Sequence, residues 1–130
     1  MTILVAYVAR PEGHAALDKA MEIAKRRNER LVVVNASPGG PKEDASMADA
    51  QEVERVEKLL AAAGLDAEFK QFVRGKNAVE EIEALVESLK ASLLVIGLRK
   101  RSPVGKLIMG SVAQELLLSV SCPVLAVKAN

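Results

Sequence analysis

Aromatic residues and cysteines are scarce in this sequence, and each scarcity excludes a class of protein. The 130 residues include two Phe, one Tyr and no Trp, so there is no row of rings on which the bases of single-stranded nucleic acid could stack. The single cysteine, Cys122, excludes an internal disulfide framework and is typical of a reducing cytoplasm. A net charge of +1 means that no overall field attracts DNA, RNA or an acidic membrane.

Long hydrophobic runs are also missing. No apolar run approaches the roughly 18 residues that a membrane-spanning helix needs. The chain enters an apolar run at Ile3 without the basic region and cleavage site of a signal peptide. We therefore expect a cytoplasmic protein, with one domain over residues 1–130. Half of the residues are hydrophobic but few are rings, so the core must be aliphatic.

Short apolar runs alternate with helical patterns along the chain. Strands are predicted at residues 3–8, 31–36, 67–73, 92–96 and 124–128, and helices at about 15–27, 48–63, 78–90 and 111–120. This alternation predicts an α/β fold, a single-domain, doubly wound parallel sheet of five strands with four helices on its two faces. The clear alternation of residues 67–73 indicates an edge strand.

Ligands of such sheets bind at the carboxyl ends of the strands. Here those ends are Tyr7 to Arg10, Asn35 to Ser37 and Gly97 to Arg101. The third end opens a segment, predicted to be a loop, that reaches Ser111 without an acidic residue and carries the cations Arg99, Lys100, Arg101 and Lys106. A basic loop followed by a helix start favours an anion such as phosphate, although a solvated surface run is the alternative. The spacing does not fit a Walker A loop, because Leu107 follows Gly105-Lys106.

Ser111 has two compatible interpretations. Ser111 and Gln114 match a capping box, in which the serine caps the last predicted helix. The same hydroxyl could also bind a phosphate, because it is both donor and acceptor.

The remaining polar residues suggest no chemistry. His14 has no partner at a diagnostic spacing, and Cys122 is interpreted as a small buried hydrophobe. No group of His, Cys and carboxylates has the spacing of a metal site. A solvated helix face is predicted for Glu52, Glu54, Arg55, Glu57 and Lys58.

Two C-terminal segments resemble the universal stress protein family: GLRKRSPVGKLIMGSVAQELL, from Gly97, and SCPVLAVK, from Ser121. The family pattern is Gly, two residues, Gly, nine residues, Gly, then Ser or Thr. Gly97 matches its first position, and Gly110-Ser111 matches its end after nine residues. The resemblance implies strand order 3-2-1-4-5 and a homodimer paired through the last strand, Val124 to Lys128.

The resemblance also implies a ligand, because family members with this pattern resemble ATP binders. It implies adenine (of ATP or AMP) beside Val8 and Ala36. Mg²⁺ is expected only with a bound nucleotide, because the sequence singles out no carboxylate as its ligand. The resemblance implies phosphates along a set of residues near the last helix, with Arg99 as a neighbouring cation: Gly97, Lys100, Gly110, Ser111 and Val112. Two positions depart from the pattern, since Val8 stands where ATP-binding members usually have Asp and Lys100 stands at the second glycine.

Two functions are therefore open. The first is a regulatory module in the stress response that binds an adenine nucleotide as a dimer, a function that Gly97, Gly110 and Ser111 favour. The second is a stress-response dimer that binds no nucleotide and acts through protein contacts, which Val8 and Lys100 favour. A catalytic relative ranks last, because no residue stands out as a nucleophile or a general base, and at most slow ATP hydrolysis is expected.

Overall fold

The computed structural model describes residues 1–35, 49–71, 77–101 and 106–129, with the backbone alone at 100–101 and 106–108. The strands are β1 (Thr2–Tyr7), β2 (Arg30–Asn35), β3 (Ala67–Lys70), β4 (Ala91–Arg101), β5 (Lys106–Ile108) and β6 (Val124–Lys128). The helices are α1 (Pro11–Arg27), α2 (Ala50–Ala62), α3 (Ala78–Ser88) and α4 (Ser111–Ser119).

Five strands form the predicted parallel sheet. Their order is β3-β2-β1-β4-β6, which is 3-2-1-4-5 when the parallel strands alone are numbered along the chain. Tyr7 pairs with Asn35 across β1 and β2, and Val5 pairs with Val95 across β1 and β4. The expected edge position of the third strand is confirmed, because among the described strands β3 pairs with β2 alone.

The prediction of a loop directly after residue 96 is wrong. β4 continues to Arg101, and β5 pairs with it antiparallel, Arg99 opposite Ile108. The basic residues hid this extension, because the apolar pattern that marks a buried strand stops at Ile96 while backbone pairing continues. The candidate anion segment thus includes residues of two strands, 97–101 of β4 and 106–108 of β5.

Alternating strand residues supply two aliphatic core clusters, one on each face of the sheet. On one face, odd-numbered β1 residues such as Ile3 and Val5 pack with α1 and α2. On the other, Leu4 and Ala6 pack with α3 and α4, in a cluster that we call the α3/α4 cluster. Cys122 packs half-buried against the α3/α4 cluster, and burial raises the pKa of its thiol, which disfavours the thiolate.

Helix boundaries differ from the predictions at one important point. α1 begins at Pro11 rather than at Ala15, because proline has the helical φ already fixed and lacks the amide that a first helical residue leaves unpaired. The start of α1 therefore lies one helical turn closer to the carboxyl edge of the sheet.

The end of α2 agrees with the prediction. Gly64 follows the helix with a φ of 69°, which suits glycine, as the predicted C-terminal stop requires.

Candidate functional site

The structure brings most of the predicted site residues to the carboxyl edge of the sheet. Val8 follows β1 directly, and Gly97 lies two residues beyond Val95, the partner of Val5. Val8 and Val112 both pack, half-buried, against the α3/α4 cluster. The first turn of α4 therefore lies on the same face of the sheet as the Val8 side chain, at the end of β1. Ala36, the other predicted adenine contact, lies outside the described residues.

The turn from β1 into α1 is held tightly under Val8. The Arg10 amide donates to the Val8 carbonyl oxygen at 2.8 Å. A Cβ atom on Gly13 would lie 1.7 Å from that same oxygen, so only glycine fits between α1 and the end of β1. The backbone at Val8 is thus fixed by its neighbours. The half-buried valine side chain presents no polar group to the region outside the carboxyl ends of the parallel strands, which we call the crevice.

Gly97 has a packing role that its sequence pattern does not reveal. A Cβ atom there would lie 2.1 Å from the Glu12 carbonyl oxygen and 2.7 Å from the carbonyl carbon. The glycine therefore allows the first turn of α1 to lie directly on β4. Glu12 belongs to this contact, and among the described residues its Oε1 atom is buried without a hydrogen-bond partner.

The start of α4 leaves several backbone amides unpaired within the helix. The first intrahelical bond runs from the Gln114 amide to the Gly110 carbonyl at 2.9 Å, so the amides of Ser111, Val112 and Ala113 have no helical partner. The first turn contains no acidic residue, and no side chain caps it. Each of the other described helices has an acidic residue in its first turn.

The capping-box interpretation of Ser111 is wrong. Gly110, with extended φ and ψ of −64° and 159°, is the N-cap residue, and Ser111 is the first residue of α4. A serine at that position cannot fold its hydroxyl back onto the third helical amide as a cap does. Gly110 and Ser111 are both exposed, so the start of α4 is accessible from solvent.

The antiparallel pair of β4 and β5 leads into the start of α4. Arg99 is exposed near the end of β4, and Lys100 pairs through its backbone with Leu107 of β5. Lys100 thus lies in a strand, where its position along β4 is set by the register. With the amide end of α4 nearby, this region favours a negatively charged group.

A polar cluster on the opposite face was missed by the sequence analysis. The Glu52 carboxylate accepts a hydrogen bond from the Tyr7 hydroxyl and another, at 2.8 Å, from Arg55 Nη2. His14 Nε2 lies 3.1 Å from Glu52 Oε1. One carboxylate therefore joins β1, α1 and α2.

The contacts of this cluster shift the pKa values of Glu52 and Tyr7 in opposite directions. Hydrogen bonds from Arg55, then from Tyr7 and His14, outweigh burial and lower the pKa of Glu52 from 4.5 to about 2. Burial and the adjacent Glu52 carboxylate raise the pKa of Tyr7. The phenol therefore remains a donor and the carboxylate an acceptor across the physiological pH range.

The cluster also corrects the prediction of a solvated face on α2. Glu54 and Lys58 do form an exposed pair, at 3.1 Å, but Glu52 turns inward and its side chain is 20% exposed. One signal could have found this: the only tyrosine of the chain lies in a buried strand, and a buried phenol needs a hydrogen-bond partner. Asp49 caps α2 by accepting a hydrogen bond from the Glu52 amide, and this bond fixes the position of Glu52.

Comparison with known proteins identifies the family. The sequence profile of the universal stress protein family matches residues 1–128. The chain belongs to the universal stress protein family. A universal stress protein of Mycolicibacterium smegmatis is 49% identical over 126 residues, which are 97% of this chain and 96% of that protein.

Solved universal stress proteins share the fold. One from Archaeoglobus fulgidus has 30% identity and a TM-score of 0.76, with 98% of this chain and 97% of that chain covered. Another from that organism, in complex with dAMP, has 24% identity and a TM-score of 0.70 over 98% of this chain and 96% of that one. These likenesses confirm the predicted family and sheet order.

Within the four described ranges, no group of three or more His, Cys, Asp or Glu side chains is placed to hold a metal ion. No helix in those ranges combines the length and apolar character needed to cross a bilayer.

Proposed function

We propose that this universal stress protein is a regulatory module of the stress response that binds an adenine nucleotide at the carboxyl edge of its sheet. Adenine would lie beside Val8 and Ala36, at the ends of β1 and β2. The phosphates would lie toward the start of α4, near Gly110, Ser111 and Val112. Gly97, Arg99 and Lys100 would border them along β4.

The start of α4 carries this proposal. Three amides without helical partners, an exposed hydroxyl and the positive end of the helix dipole converge there, and no acidic side chain of the first turn competes. A phosphate would satisfy these donors directly. The A. fulgidus protein that was solved with dAMP has the same fold, which supports an adenine nucleotide as the ligand class.

Calorimetric titration with ATP and with AMP, each with and without Mg²⁺, tests the proposal. A dissociation constant well below millimolar is expected, since weaker binding corresponds to only about 4 kcal/mol. Mg²⁺ is expected to change ATP affinity through the phosphates. Absence of binding at millimolar nucleotide would contradict the proposal.

A stress-response dimer that binds no nucleotide is the second candidate. Val8 favours it, because this half-buried side chain packs into the α3/α4 cluster and offers the crevice no hydrogen bond. A protein of this kind would act through protein contacts alone. The same titration separates the two candidates.

Both candidates include a homodimer paired through β6. Among the described strands β6 contacts β4 alone, so its other edge has no strand partner there. Apolar surface lies on the preceding helix, where Leu118 is 80% exposed and Leu117 is 44% exposed. Unpaired edges and exposed apolar side chains favour association.

Light scattering coupled to size exclusion tests the dimer. Wild-type protein is expected to elute with the mass of two chains. Ala126→Lys places a charge at an exposed position of β6 and is expected to give the mass of one chain. Lys58→Ala, on the exposed face of α2, is the control and should remain a dimer. A monomeric wild type would contradict the proposed interface.

A further inference from the structure

Asn35 is an unusual residue for its position in the core. It ends β2, whose preceding residues are the aliphatic run Leu31 to Val34, and it is 3% exposed. Among the described residues, only Thr2 and Asn35 are buried and polar. A buried amide contributes less to stability than a well-packed valine unless its hydrogen bonds are made. The contacts of Asn35 therefore indicate its role.

The Asn35 side chain ties three strands together at the carboxyl edge. Its Nδ2 atom donates to the Tyr7 carbonyl oxygen of β1 at 3.2 Å. Its Oδ1 atom accepts a hydrogen bond from Gln71 Nε2, just after β3, at 3.1 Å. The Tyr7 carbonyl belongs to the same planar peptide as the Val8 amide, so a bond to that oxygen also sets the orientation of the Val8 N–H.

Tyr7 is held at its other end as well. Its ring is fully buried and contacts Phe69 edge-on, with ring centroids 5.9 Å apart. Its hydroxyl donates to Glu52, which Arg55 holds in turn. The residue before Val8 is therefore fixed through its carbonyl, its ring and its hydroxyl.

We infer that Asn35 is a positioning residue for the adenine base, and that the Tyr7–Glu52 hydrogen bond supports it. Asn35 sets the spacing and orientation of the β1 and β2 ends, between which the base is proposed to lie. This inference rests on the proposed function, because it concerns the same crevice. Asn35 would therefore control how the adenine base is held without touching the ligand itself.

Substitution of Asn35 by valine separates positioning from stability. Valine continues the aliphatic run of β2 but leaves the Tyr7 carbonyl oxygen without its side-chain donor, so Asn35→Val should lower the urea midpoint modestly. Its affinity for adenosine and for ATP should fall by the same factor, about tenfold or more. Substitution of a residue with a merely structural role would lower the midpoint and leave the affinity of the folded protein unchanged.

Ser92→Ala is the matched control at the other end of β1. Ser92 Oγ donates to Glu29 Oε1 at 2.6 Å and lies 3.2 Å from the Thr2 carbonyl oxygen, so it joins neighbouring strands at the end of the sheet far from the crevice. Ser92→Ala should lower the urea midpoint and leave both affinities unchanged. If Asn35→Val fails to fold, Gln71→Ala removes the hydrogen bond to Asn35 Oδ1 from an exposed residue, and a smaller loss of affinity, equal for adenosine and ATP, is expected.

The outcomes distinguish the two levels of the account. Wild-type affinity for adenosine in Asn35→Val, or an equal loss in Ser92→Ala, would overturn the positioning role while leaving nucleotide binding intact. A wild-type protein that binds neither adenosine nor ATP would overturn the proposed function, and the positioning role with it.

Discussion

Replacement of Gly97 by alanine is expected to destabilise the protein, whether or not a nucleotide is bound. The new Cβ atom would lie 2.1 Å from the Glu12 carbonyl oxygen, where real Cβ contacts essentially never fall below 3.0 Å. Both clashing atoms, the carbonyl oxygen and its carbon, belong to backbone rather than to a flexible side chain. The first turn of α1 would have to move by about 1 Å, and over-packing of this kind costs about 1–3 kcal/mol.

The movement cannot be absorbed easily on the other side of that turn. Gly13 already packs against the Val8 carbonyl, with no room even for a methyl group. We therefore expect a loss near the upper part of that range, about 2–3 kcal/mol. Urea unfolding followed by circular dichroism should show a midpoint lowered by about 1 M, given a typical dependence of 1–3 kcal/mol per M.

Gly110→Ala provides the matched control for this experiment. Among the described residues other than its chain neighbours, no atom lies within 4 Å of a Cβ built on Gly110, and its φ of −64° suits alanine. Its stability should change by less than about 1 kcal/mol, the cost of alanine at a helix N-cap. If Gly97→Ala unfolds at the wild-type midpoint, or if both variants lose stability equally, the packing role of Gly97 is refuted.

Three other predictions concern the site and the polar cluster. Ser111→Ala should weaken ATP binding by about 1 kcal/mol or more while leaving adenosine binding unchanged, because the hydroxyl lies at the phosphate end; equal losses in calorimetry would contradict this. Val8→Asp should tighten nucleotide binding per folded molecule by supplying a polar group at the end of β1, and unchanged affinity would refute that explanation. Because folding lowers the pKa of Glu52 from 4.5 to about 2, its carboxylate contributes stability that is present above about pH 4.5 and is lost as the pH falls toward 2. The difference in unfolding free energy between wild type and Glu52→Gln should therefore shrink over that interval, and a pH-independent difference would argue against the assigned contacts.

The strands and helices were predictable wherever hydrophobic burial alone decides the structure. Residues Ile3 to Tyr7 and Leu31 to Val34 are buried on both faces, so their continuous apolar runs predict central parallel strands. The extension of β4 beyond Ile96 was not predictable in this way, because Arg99 and Lys100 are held there by backbone pairing with β5. Side-chain patterns carry no signal for such pairing.

The candidate site was predictable only in part. The glycine and serine pattern gave the location of the α4 start, but which residue caps the helix depended on the φ and ψ angles at Gly110. The hydrogen bonds that Tyr7 makes with Glu52 and Asn35 join residues 45 and 28 positions apart along the chain. No local spacing encodes such pairs, so only the fold brings them together.

The most direct test of the account is a crystal structure of the protein grown with AMP or ATP. We expect a phosphate group within hydrogen-bond distance of the Ser111 hydroxyl and of the first α4 amides, with the base beside Val8. A nucleotide bound elsewhere on the surface, or a first turn of α4 covered by the protein's own side chains, would contradict the central claim.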